Sequence, residues 1–277
     1  MVLNEIITNR KKRIMKKNIL ILLVACTMGL LWSCKKDLKL VNAVSTTEGL
    51  AFIKIIDASP NFRNVFKGAD SFNIYVNGVK INGSQLTYNS VFPAAIANLY
   101  AGVPAGPQSI RITVNGKLTP DSITLGSLNK TLDAGSYYSF IITDEALGAN
   151  EARQMFIKDN FALVDTNNFT VRFVNAVLND AGPVDVYSFR RAANIFTNVA
   201  PATATPFVNL SYTLPTSLLS DTLYVRATGT LTDIAKVTVN ASSAIFFNRG
   251  RAYTLLYKGQ FGVTGTKARA LILYTNN

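Results

Sequence analysis

The sequence contains no histidine, and it has only two cysteines and one tryptophan among 277 residues. Without histidine there is no imidazole for general-base catalysis, for a Ser-His-Asp or Cys-His nucleophile, or for a metal site. Two cysteines cannot supply a Cys-rich zinc site or a disulfide-dense scaffold. These absences exclude common hydrolytic and metal-dependent mechanisms, and we expect no enzymatic activity, no cofactor and no metal.

Charged residues are few and unbalanced. The chain has 28 Lys plus Arg against 16 Asp plus Glu, a formal net charge of +12, and charged residues make up only 16% of it. Hydrophobic residues make up 48%, which excludes a disordered polyampholyte and is typical of a chain that buries a core. The length suits one large domain or two ordinary ones.

The N-terminus has the pattern of a secretory signal. Basic residues precede an apolar run from Ile19 to Trp32, and this run is shorter than the roughly 20 residues that a bilayer-spanning helix needs. We therefore predict that residues 1–33 are a cleaved signal peptide. Met15 begins a complete signal of its own, so the sequence leaves open whether Met1 or Met15 is the true start.

The apolar run ends in Leu31-Trp32-Ser33-Cys34, which resembles the lipobox of bacterial lipoproteins. The resemblance implies cleavage before Cys34 and attachment of lipid to its thiol, while a cysteine placed there by chance is the alternative. We expect residues 34–49 to be a lipidated flexible tether. The protein would then be an outer-membrane lipoprotein of the cell envelope, in either the surface or the periplasmic leaflet. Cleavage would leave 28 − 6 = 22 basic and 16 − 1 = 15 acidic residues, a side-chain charge of +7.

The rest of the chain alternates β-branched or aromatic residues with polar ones in short runs, a pattern that predicts strands. Three Asn-Gly pairs, beginning at positions 77, 82 and 115, are turn signals because Asn and Gly accept positive φ. A short turn of helix is conceivable only at 144–153. The clearest strand runs are Ala51–Asp57, Phe72–Asn77, Ile110–Asn115, Tyr137–Thr143 and Gln154–Lys158.

The second half of this β region repeats the first. Four segments match in order, and their first residues differ by 112 to 118 positions: 54–58 with 172–176, 72–75 with 184–187, 135–140 with 250–255, and 152–157 with 268–273. The near-constant shift favours tandem duplication over a chance likeness of two β sequences. We therefore predict an all-β chain with two tandem immunoglobulin-like β-sandwich domains at 50–160 and 169–277, joined by a short linker at 161–168.

Several motifs of the first repeat resemble the domain-of-unknown-function family 4397. The second repeat keeps Val184-Asp185-Val186-Tyr187 but lacks Ser-Pro after Ala176, so the resemblance covers 50–160 closely and 169–277 loosely. It implies a secreted or cell-surface β module and brings no catalytic residues. The motifs are Asp57-Ala58-Ser59-Pro60, Asn73-Ile74-Tyr75-Val76, Val103-Pro104-Ala105-Gly106 and Ala134-Gly135-Ser136-Tyr137-Tyr138.

The carboxylates offer no clear catalytic pair. The candidates close in sequence are Asp144 with Glu145, in a loop after a strand, and Asp180 with Asp185. A glycosidase needs two carboxylates about 5–10 Å apart around a cleft, whereas carboxylates in such positions ordinarily face water, as we expect of Asp185. No Asp-rich calcium loop occurs, and an adventitious calcium site beside Asp144 is the alternative.

Aromatic residues give a weak signal for sugar binding. The single tryptophan, Trp32, leaves with the signal, which disfavours a glycan module that stacks sugars on indole rings. Tyr75 and Tyr187 occupy equivalent repeat positions, as do Tyr138 and Tyr253. The simplest interpretation of all four is core packing.

The basic charge is concentrated in the second repeat, which has ten basic and four acidic residues, against nine and eight in the first. Nucleic acid is not an expected partner outside the cell, so acidic polysaccharide or lipopolysaccharide is the partner class that this charge favours. The candidate polyanion-binding residues are Arg190, Arg191, Arg249 and Arg251. Ordinary solvated loop charges are the alternative.

Two triplets resemble the Asp-Ser/Thr-aliphatic acceptor of bacteroidete-type O-glycosylation. They begin at Asp121 and Asp221, so Ser122 and Thr222 are candidate acceptors, although three-residue patterns also arise by chance.

These features predict a lipid-anchored cell-envelope protein, held to the membrane through lipid on Cys34, with a non-catalytic binding or structural role at the outer membrane or cell surface. The alternative is an accessory glycan- or polyanion-capture module of a polysaccharide uptake system. The sequence does not indicate the oligomeric state.

Overall fold

The computed structural model describes residues 49–60, 71–93, 100–114, 124–143, 154–161, 167–212, 220–240, 243 and 247–276. Cys34 and the rest of 1–48, Ser122, and segment 144–153 with Asp144 and Glu145 lie outside the described residues. In the described part of the chain the only helical element is a 3₁₀ turn at Gly265–Lys267. No helix there is long and apolar enough to cross a membrane.

Ten strands lie in the described part of the first repeat. They are β1 Leu50–Asp57, β2 Ser71–Val76, β3 Val79–Lys80, β4 Leu86–Thr87, β5 Val91–Phe92, β6 Ala101–Pro104, β7 Gly106–Val114, β8 Thr124–Leu132, β9 Tyr137–Ile142 and β10 Met155–Lys158.

Nine strands lie in the described part of the second repeat. They are β11 Asn168–Asn175, β12 Val184–Ser188, β13 Ala193–Val199, β14 Thr203–Ala204, β15 Val208–Ser211, β16 Ser220–Ala227, β17 Asp233–Asn240, β18 Ala252–Lys258 and β19 Ala270–Thr275.

The strands form four sheets, two in each repeat. Sheet 1 has the order β10-β9-β1-β5 with β6 also on β1, and sheet 2 has the order β3-β2-β7-β8 with β4 on β2. Sheet 3 has the order β14-β11-β18-β19 with β15 on β11, and sheet 4 has the order β13-β12-β16-β17. Strand β1 runs parallel to β9, and β11 runs parallel to β18. The prediction of an all-β chain built of tandem sandwiches is confirmed.

Each sandwich encloses its own core because strands with one buried face alternate apolar and polar residues. In β2, Phe72 and Ile74 are fully buried and pack against residues of sheet 1. In β12, Val184 and Val186 take the same place against sheet 3. The alternation that predicted strands therefore also separates the core face from the outer face of sheets 2 and 4.

Strands β1 and β11 are different, because both of their faces are buried. Ile55 points into the first core, whereas its neighbour Ile56 belongs to a third apolar cluster that the two sandwiches share. This cluster sets Ile56 and Ile141 of sheet 1 against Val174 and Leu256 of sheet 3. Sheets 1 and 3 therefore pack face to face, and the layers run in the order sheet 2, sheet 1, sheet 3, sheet 4.

The strand pairing of the two sandwiches is equivalent. Ile53 pairs with Tyr138 in the parallel pair β1–β9, and Val171 pairs with Tyr253 in the parallel pair β11–β18. The matches of 54–58 with 172–176 and of 135–140 with 250–255 therefore have the register that the sequence predicted.

The predicted match of 152–157 with 268–273 is wrong by one residue. Met155 pairs with Ile141, and Ile272 pairs with Leu256, the counterpart of Ile141. Met155 therefore corresponds to Ile272 and not to Leu271. A shift of one residue exchanges the two faces of a strand, and the apolar run around Leu271 contains no polar residue that could have fixed the register in advance.

Of the three predicted Asn-Gly turns, the pair at 77 has positive φ at both residues, the pair at 82 has it at neither, and the pair at 115 lies outside the described residues. Asn77 and Gly78, with φ of 48° and 80°, join β2 to β3. Gly135 and Gly250 have φ of 73° and 68° and precede β9 and β18. The N–H of Gly135 donates to the carbonyl of Leu50 at 2.7 Å, so the start of β9 lies beside the start of β1.

Candidate functional site

The four candidate polyanion-binding arginines lie at one end of the second sandwich. Arg190 and Arg191 lie in the turn from β12 to β13, and Arg249 and Arg251 lie just before β18. The end of β12 pairs with the start of β16 in sheet 4, and the start of β18 pairs with the start of β11 in sheet 3. We call this region of Arg190, Arg191, Arg249 and Arg251 the arginine end.

Contacts to one short segment connect the two pairs of arginines. The Arg191 Nη2 donates to the carbonyl oxygen of Ser211 at 2.6 Å. The guanidinium of Arg249 lies 4.9 Å from the ring centre of the next residue, Tyr212. Burial lowers the pKa of Arg191, and the nearby Asp221 carboxylate opposes this shift. The end of β15 therefore lies between the two pairs and is contacted by both.

A buried carboxylate fixes the turn that presents Arg190 and Arg191. Asp221 is 5% exposed; its Oδ2 accepts the Ser188 hydroxyl at 2.6 Å and its Oδ1 accepts the Arg190 N–H at 3.0 Å. The Arg191 N–H donates to the Ser188 hydroxyl oxygen at 3.1 Å. Ala192 completes the turn at a φ of 51°. The backbone that carries the arginines is thus held in one conformation.

The second pair of arginines is fixed through the backbone beside the start of β11. The N–H of Gly250 donates to the carbonyl of Asn168 at 2.7 Å, and the N–H of Thr170 donates to the carbonyl of Arg251 at 2.9 Å. Arg249 and Arg251 flank the positive-φ Gly250, and both side chains are exposed.

The first sandwich has no arginine at the equivalent positions. The repeat register places Ala134 and Ser136 where the second sandwich has Arg249 and Arg251. Arg190 and Arg191 lie in a four-residue turn between the paired residues Ser188 and Ala193, whereas the corresponding turn of the first sandwich has two residues, Asn77 and Gly78. The fold thus tolerates small residues in place of Arg249 and Arg251, and a shorter turn in place of the one that carries Arg190 and Arg191. The arginines are therefore a property of the second copy rather than a requirement of its strands.

The two ends of the second sandwich differ in how arginines are paired. At the opposite end, Arg226 contacts Asp233 and Arg269 contacts Asp180, each at 2.7 Å. At the arginine end, the Arg190 Nε donates to the carbonyl of Ser220 at 3.0 Å, much as Arg191 donates to a carbonyl. The loop sequences 189–192, 212–219 and 241–251 contain four arginines and no acidic residue, so this end is positively charged.

A second polar cluster, which the sequence interpretation missed, lies between the sandwiches. Arg172 of β11 is 1% exposed, and its Nη2 lies 2.6 Å from Oδ1 of Asp159, which follows β10. Oδ2 of Asp159 accepts the Ser139 hydroxyl at 2.6 Å and the Tyr100 hydroxyl at 2.7 Å. We call Arg172, Asp159 and their hydrogen-bonding partners the interface network.

The network closes into a ring across the two sheets. The Arg172 Nε donates to Thr254 Oγ1 at 2.9 Å, and that hydroxyl donates to Asn276 Oδ1 at 2.7 Å. The Asn276 Nδ2 donates to the Tyr100 hydroxyl oxygen at 2.8 Å. Burial and the Asp159 charge raise the pKa of Tyr100. The hydroxyl and amide groups of the ring have hydrogen-bonding partners, and Oδ1 of Asp159 is contacted by the charged Arg172 guanidinium.

Two lysines also link the sandwiches. Lys54 of β1 donates to the carbonyl of Thr275 at 2.6 Å, and burial lowers its pKa to about 8 although Asp159 opposes the shift. Lys258 of β18 donates to the Tyr88 hydroxyl at 3.2 Å and contacts Asn89 Oδ1. A charged residue in the middle of an otherwise apolar strand, as at Lys54 and Arg172, was the sequence signal for this interface.

The predicted placement of Asp185 is wrong. It is 5% exposed and accepts hydrogen bonds from the N–H of Asn198 at 2.8 Å, the hydroxyl of Thr228 at 3.0 Å and the N–H of Gly229 at 3.2 Å. Its position on the outer face agrees with the alternation, but adjoining loops fold over it. Asp185 therefore organises loops.

Core packing is confirmed for two of the four tyrosines and is wrong for the others. Tyr138 and Tyr253 are buried core residues. Tyr75 and Tyr187 are half-buried on outer sheet faces, where arginines cover their rings. Arg111 lies 5.1 Å from the ring centre of Tyr75, and Tyr187 has an equivalent contact with an arginine of β16 at 4.0 Å.

The glycosylation candidate Thr222 lies within the central strand β16. It is half-buried, and its hydroxyl oxygen lies 3.2 Å from that of Thr238 on β17. Asp221 and Leu223 on either side are buried, so only the middle residue of the triplet reaches the outer face. Thr222 stays a candidate acceptor.

Residues 51–187 match the family model described as Domain of unknown function (DUF4397), the family that the motifs of the first repeat resemble. The match covers the first sandwich and continues through β12. A crystal structure described as "a putative cell adhesion protein from Bacteroides uniformis" aligns at 11% identity over 83% of this chain and 100% of that chain, with a TM-score of 0.17. A likeness this low carries no argument about fold or function. None of the curated proteins matches the chain significantly.

Proposed function

We propose that the protein is a lipid-anchored envelope protein with a non-catalytic binding role, and that its arginine end binds polyanions. The observation that supports this role most strongly is the difference between the repeats. Arg249 and Arg251 lie where the first sandwich has Ala and Ser, and Arg190 and Arg191 lie in a turn that is two residues longer than its counterpart in the first sandwich. A rigid turn and a rigid loop present them together, with no acidic residue in the connecting loop sequences.

Four buried carboxylates support a non-catalytic role because each has a structural task. Asp159 joins the sandwiches, Asp221 holds the β12–β13 turn, and Asp185 binds three loop donors. Asp180 pairs with Arg269 and accepts the Tyr257 hydroxyl at 2.8 Å. These groups hold loops and sheets in place, which suits a protein that displays a surface.

The anchor is tested by labelling with a clickable palmitate analogue in a bacterium that processes lipoproteins. We expect the wild type to incorporate label and the Cys34→Ser variant to lose it. Cys26→Ser is the matched control, since Cys26 lies in the signal, and it should label like the wild type. Equal labelling of Cys34→Ser and the wild type would refute the anchor.

Polyanion binding is tested with the mature chain carrying Cys34→Ser. We expect retention on immobilised alginate that weakens with salt, and no retention on neutral dextran, because exposed charges are screened by salt. The variant R249A/R251S should lose retention. The charge-matched variant K236A/K267A removes two exposed lysines away from the arginine end and should retain it. Equal loss of retention in both variants would mean that retention depends on the net charge of the protein and not on the arginine end.

The alternative, capture of a glycan for uptake, is favoured by one observation. A shallow pocket of about 430 Å³ on the first sandwich is lined by amides and hydroxyls, among them Asn77, Ser109, Asn129 and Thr131. Saturable binding of a neutral oligosaccharide, abolished by Asn129→Ala and unaffected by R249A/R251S, would support this alternative over the polyanion role.

A further inference from the structure

The two sandwiches lie side by side and point the same way. Tyr100, whose ring centre lies 4.4 Å from the Lys54 ammonium, contacts Asn276, which follows β19 and lies beside Ala252 at the start of β18. Near the ends of the strands, Lys258 of β18 contacts Asn89, whose N–H donates to the carbonyl of Asp57 at the end of β1. Lys54 thus lies toward the start of β18, and Asp57, later in β1, lies beside the end of β18. Strand β1 therefore runs in the same direction as β18 and its parallel neighbour β11.

This parallel arrangement puts the arginine end at the end where the chain enters the first sandwich. Gly135, the counterpart of Gly250, donates to Leu50, and the carbonyl of Gly49 accepts the N–H of Ala105 at 2.8 Å. Gly250 lies between Arg249 and Arg251, in the corresponding place of the second sandwich. The second sandwich, although later in sequence, is thus no farther from the N-terminal attachment than the first.

The distance to the anchor is short. From Cys34 to Gly49 the sequence advances 49 − 34 = 15 residues, which even fully extended span only about 50 Å. The first of these residues include Lys35, Lys36 and Lys39. Basic residues next to a lipid anchor add to its affinity for an anionic surface, by roughly fivefold each.

We infer that the arginine end faces the membrane and binds the phosphate groups of anionic phospholipids beside the lipid anchor. The inference rests on the proposed function, and it identifies the polyanion as the anionic membrane surface. Charge complementarity supports it, since the loop sequences 189–192, 212–219 and 241–251 at this end carry four arginines and no acidic residue. Asp165, in the linker, lies outside the described residues.

The orientation is tested on the lipidated protein in vesicles of equal parts phosphatidylcholine and phosphatidylglycerol. The mature chain has no other cysteine than the lipidated Cys34, so Asn248→Cys and Leu231→Cys each provide one free thiol for a fluorophore. Asn248 adjoins the arginine end, and Leu231, 86% exposed, lies at the opposite end. We expect strong energy transfer to a headgroup acceptor from position 248 and weak transfer from 231. Equal transfer, or stronger transfer from 231, would overturn the inference.

The chemistry is tested with the unlipidated Cys34→Ser chain on the same vesicles. R249A/R251S should weaken binding by roughly 30-fold at low salt, since each arginine near an anionic surface contributes about fivefold, while K236A/K267A should bind like the unsubstituted chain. Binding to alginate without binding to vesicles would overturn the membrane inference and leave the proposed function standing. Absence of palmitate labelling in the wild type, or equal labelling of Cys34→Ser and the wild type, would overturn both.

Discussion

The two sandwiches share one strand plan and differ where they meet. Their contacts are reciprocal: Arg172 of β11 reaches Asp159 after β10, and Lys54 of β1 reaches Thr275 at the end of β19, the counterpart of β10. At the first place a cation meets a carboxylate, whereas at the second a cation meets a carbonyl. A duplicated interface has thus diverged into one fully charged contact and one half-charged contact, and the two should differ in energy and in pH dependence.

The largest effect is expected from Asp159→Asn, which copies Asn276 into the first sandwich and removes the carboxylate from Arg172. A buried cation without its partner costs about 3–5 kcal/mol of unfolding free energy, measured by urea unfolding followed by circular dichroism. Asp133→Asn is the control, because it breaks the exposed pair with Lys158 and surface pairs contribute little. An Asp159→Asn variant as stable as the wild type would show that the charged contact does not matter.

The connection between the last two strands of the second sandwich offers the next largest effect. Gly259 has a φ of 107°, and a Cβ there would lie 2.4 Å from the carbonyl oxygen of Ala268. Gly259→Ala should cost about 3 kcal/mol in thermal or urea unfolding. Gly262→Ala, with a φ of 79° and open space, should cost about 1 kcal/mol. Equal costs would mean that the close approach of the backbone is not present in solution.

The contact between Lys54 and the Thr275 carbonyl should make the free energy of unfolding depend on pH. Burial lowers the Lys54 pKa to about 8 from 10.5, so between these values the unfolded state binds more protons and stability rises with pH. Relative to Lys54→Met, the wild type should gain about 2 kcal/mol from pH 7 to pH 9.5. Urea titrations of both proteins at several pH values measure this gain. A constant difference between the two would contradict a buried, destabilised lysine.

The smallest effects are expected where the sandwiches remain alike. The Tyr138 hydroxyl accepts the Asp133 N–H at 2.9 Å, and the Tyr253 hydroxyl accepts the equivalent Asn248 N–H at 2.7 Å. The Tyr138 hydroxyl also donates to Oδ2 of Asp133 at 3.2 Å. Tyr138→Phe and Tyr253→Phe should each cost about 1 kcal/mol, because the backbone hydrogen bond typically contributes that much and the second bond of Tyr138 goes to the exposed Asp133 carboxylate, which adds little. Thermal unfolding of both variants compares the copies directly, and a large difference between them would show that the equivalence is only formal.

The sequence predicted the strands and the duplication because both depend on local patterns. Alternation revealed β2 and β12, and Tyr138 and Tyr253 fell in matching registers. The sequence did not predict that sheet 1 packs against sheet 3. In an apolar strand such as β1, no alternation distinguishes the residues that face the core from those that face the other sandwich. Ile56 faces the other sandwich while Ile55 does not.

The sequence predicted which arginines belong to the candidate site but not that they lie together. Arg190, Arg191, Arg249 and Arg251 could be chosen from charge counts and loop positions. Their convergence at one end depends on the antiparallel order of sheet 4 and the parallel pair β11–β18, which no local pattern encodes. Arg172 was counted among the basic residues of the second repeat, although it is buried and faces Asp159.

The central claim is that the two sandwiches form one body that holds the arginine end beside the chain's entry. Its most direct test is urea unfolding of the Cys34→Ser chain with a single fluorophore at Ala134→Cys in the first sandwich or at Leu231→Cys in the second. Coincident transitions with one midpoint are predicted, since the shared cluster and the interface network couple the sheets. Two separate unfolding midpoints, in chains whose interface residues are unsubstituted, would contradict the claim.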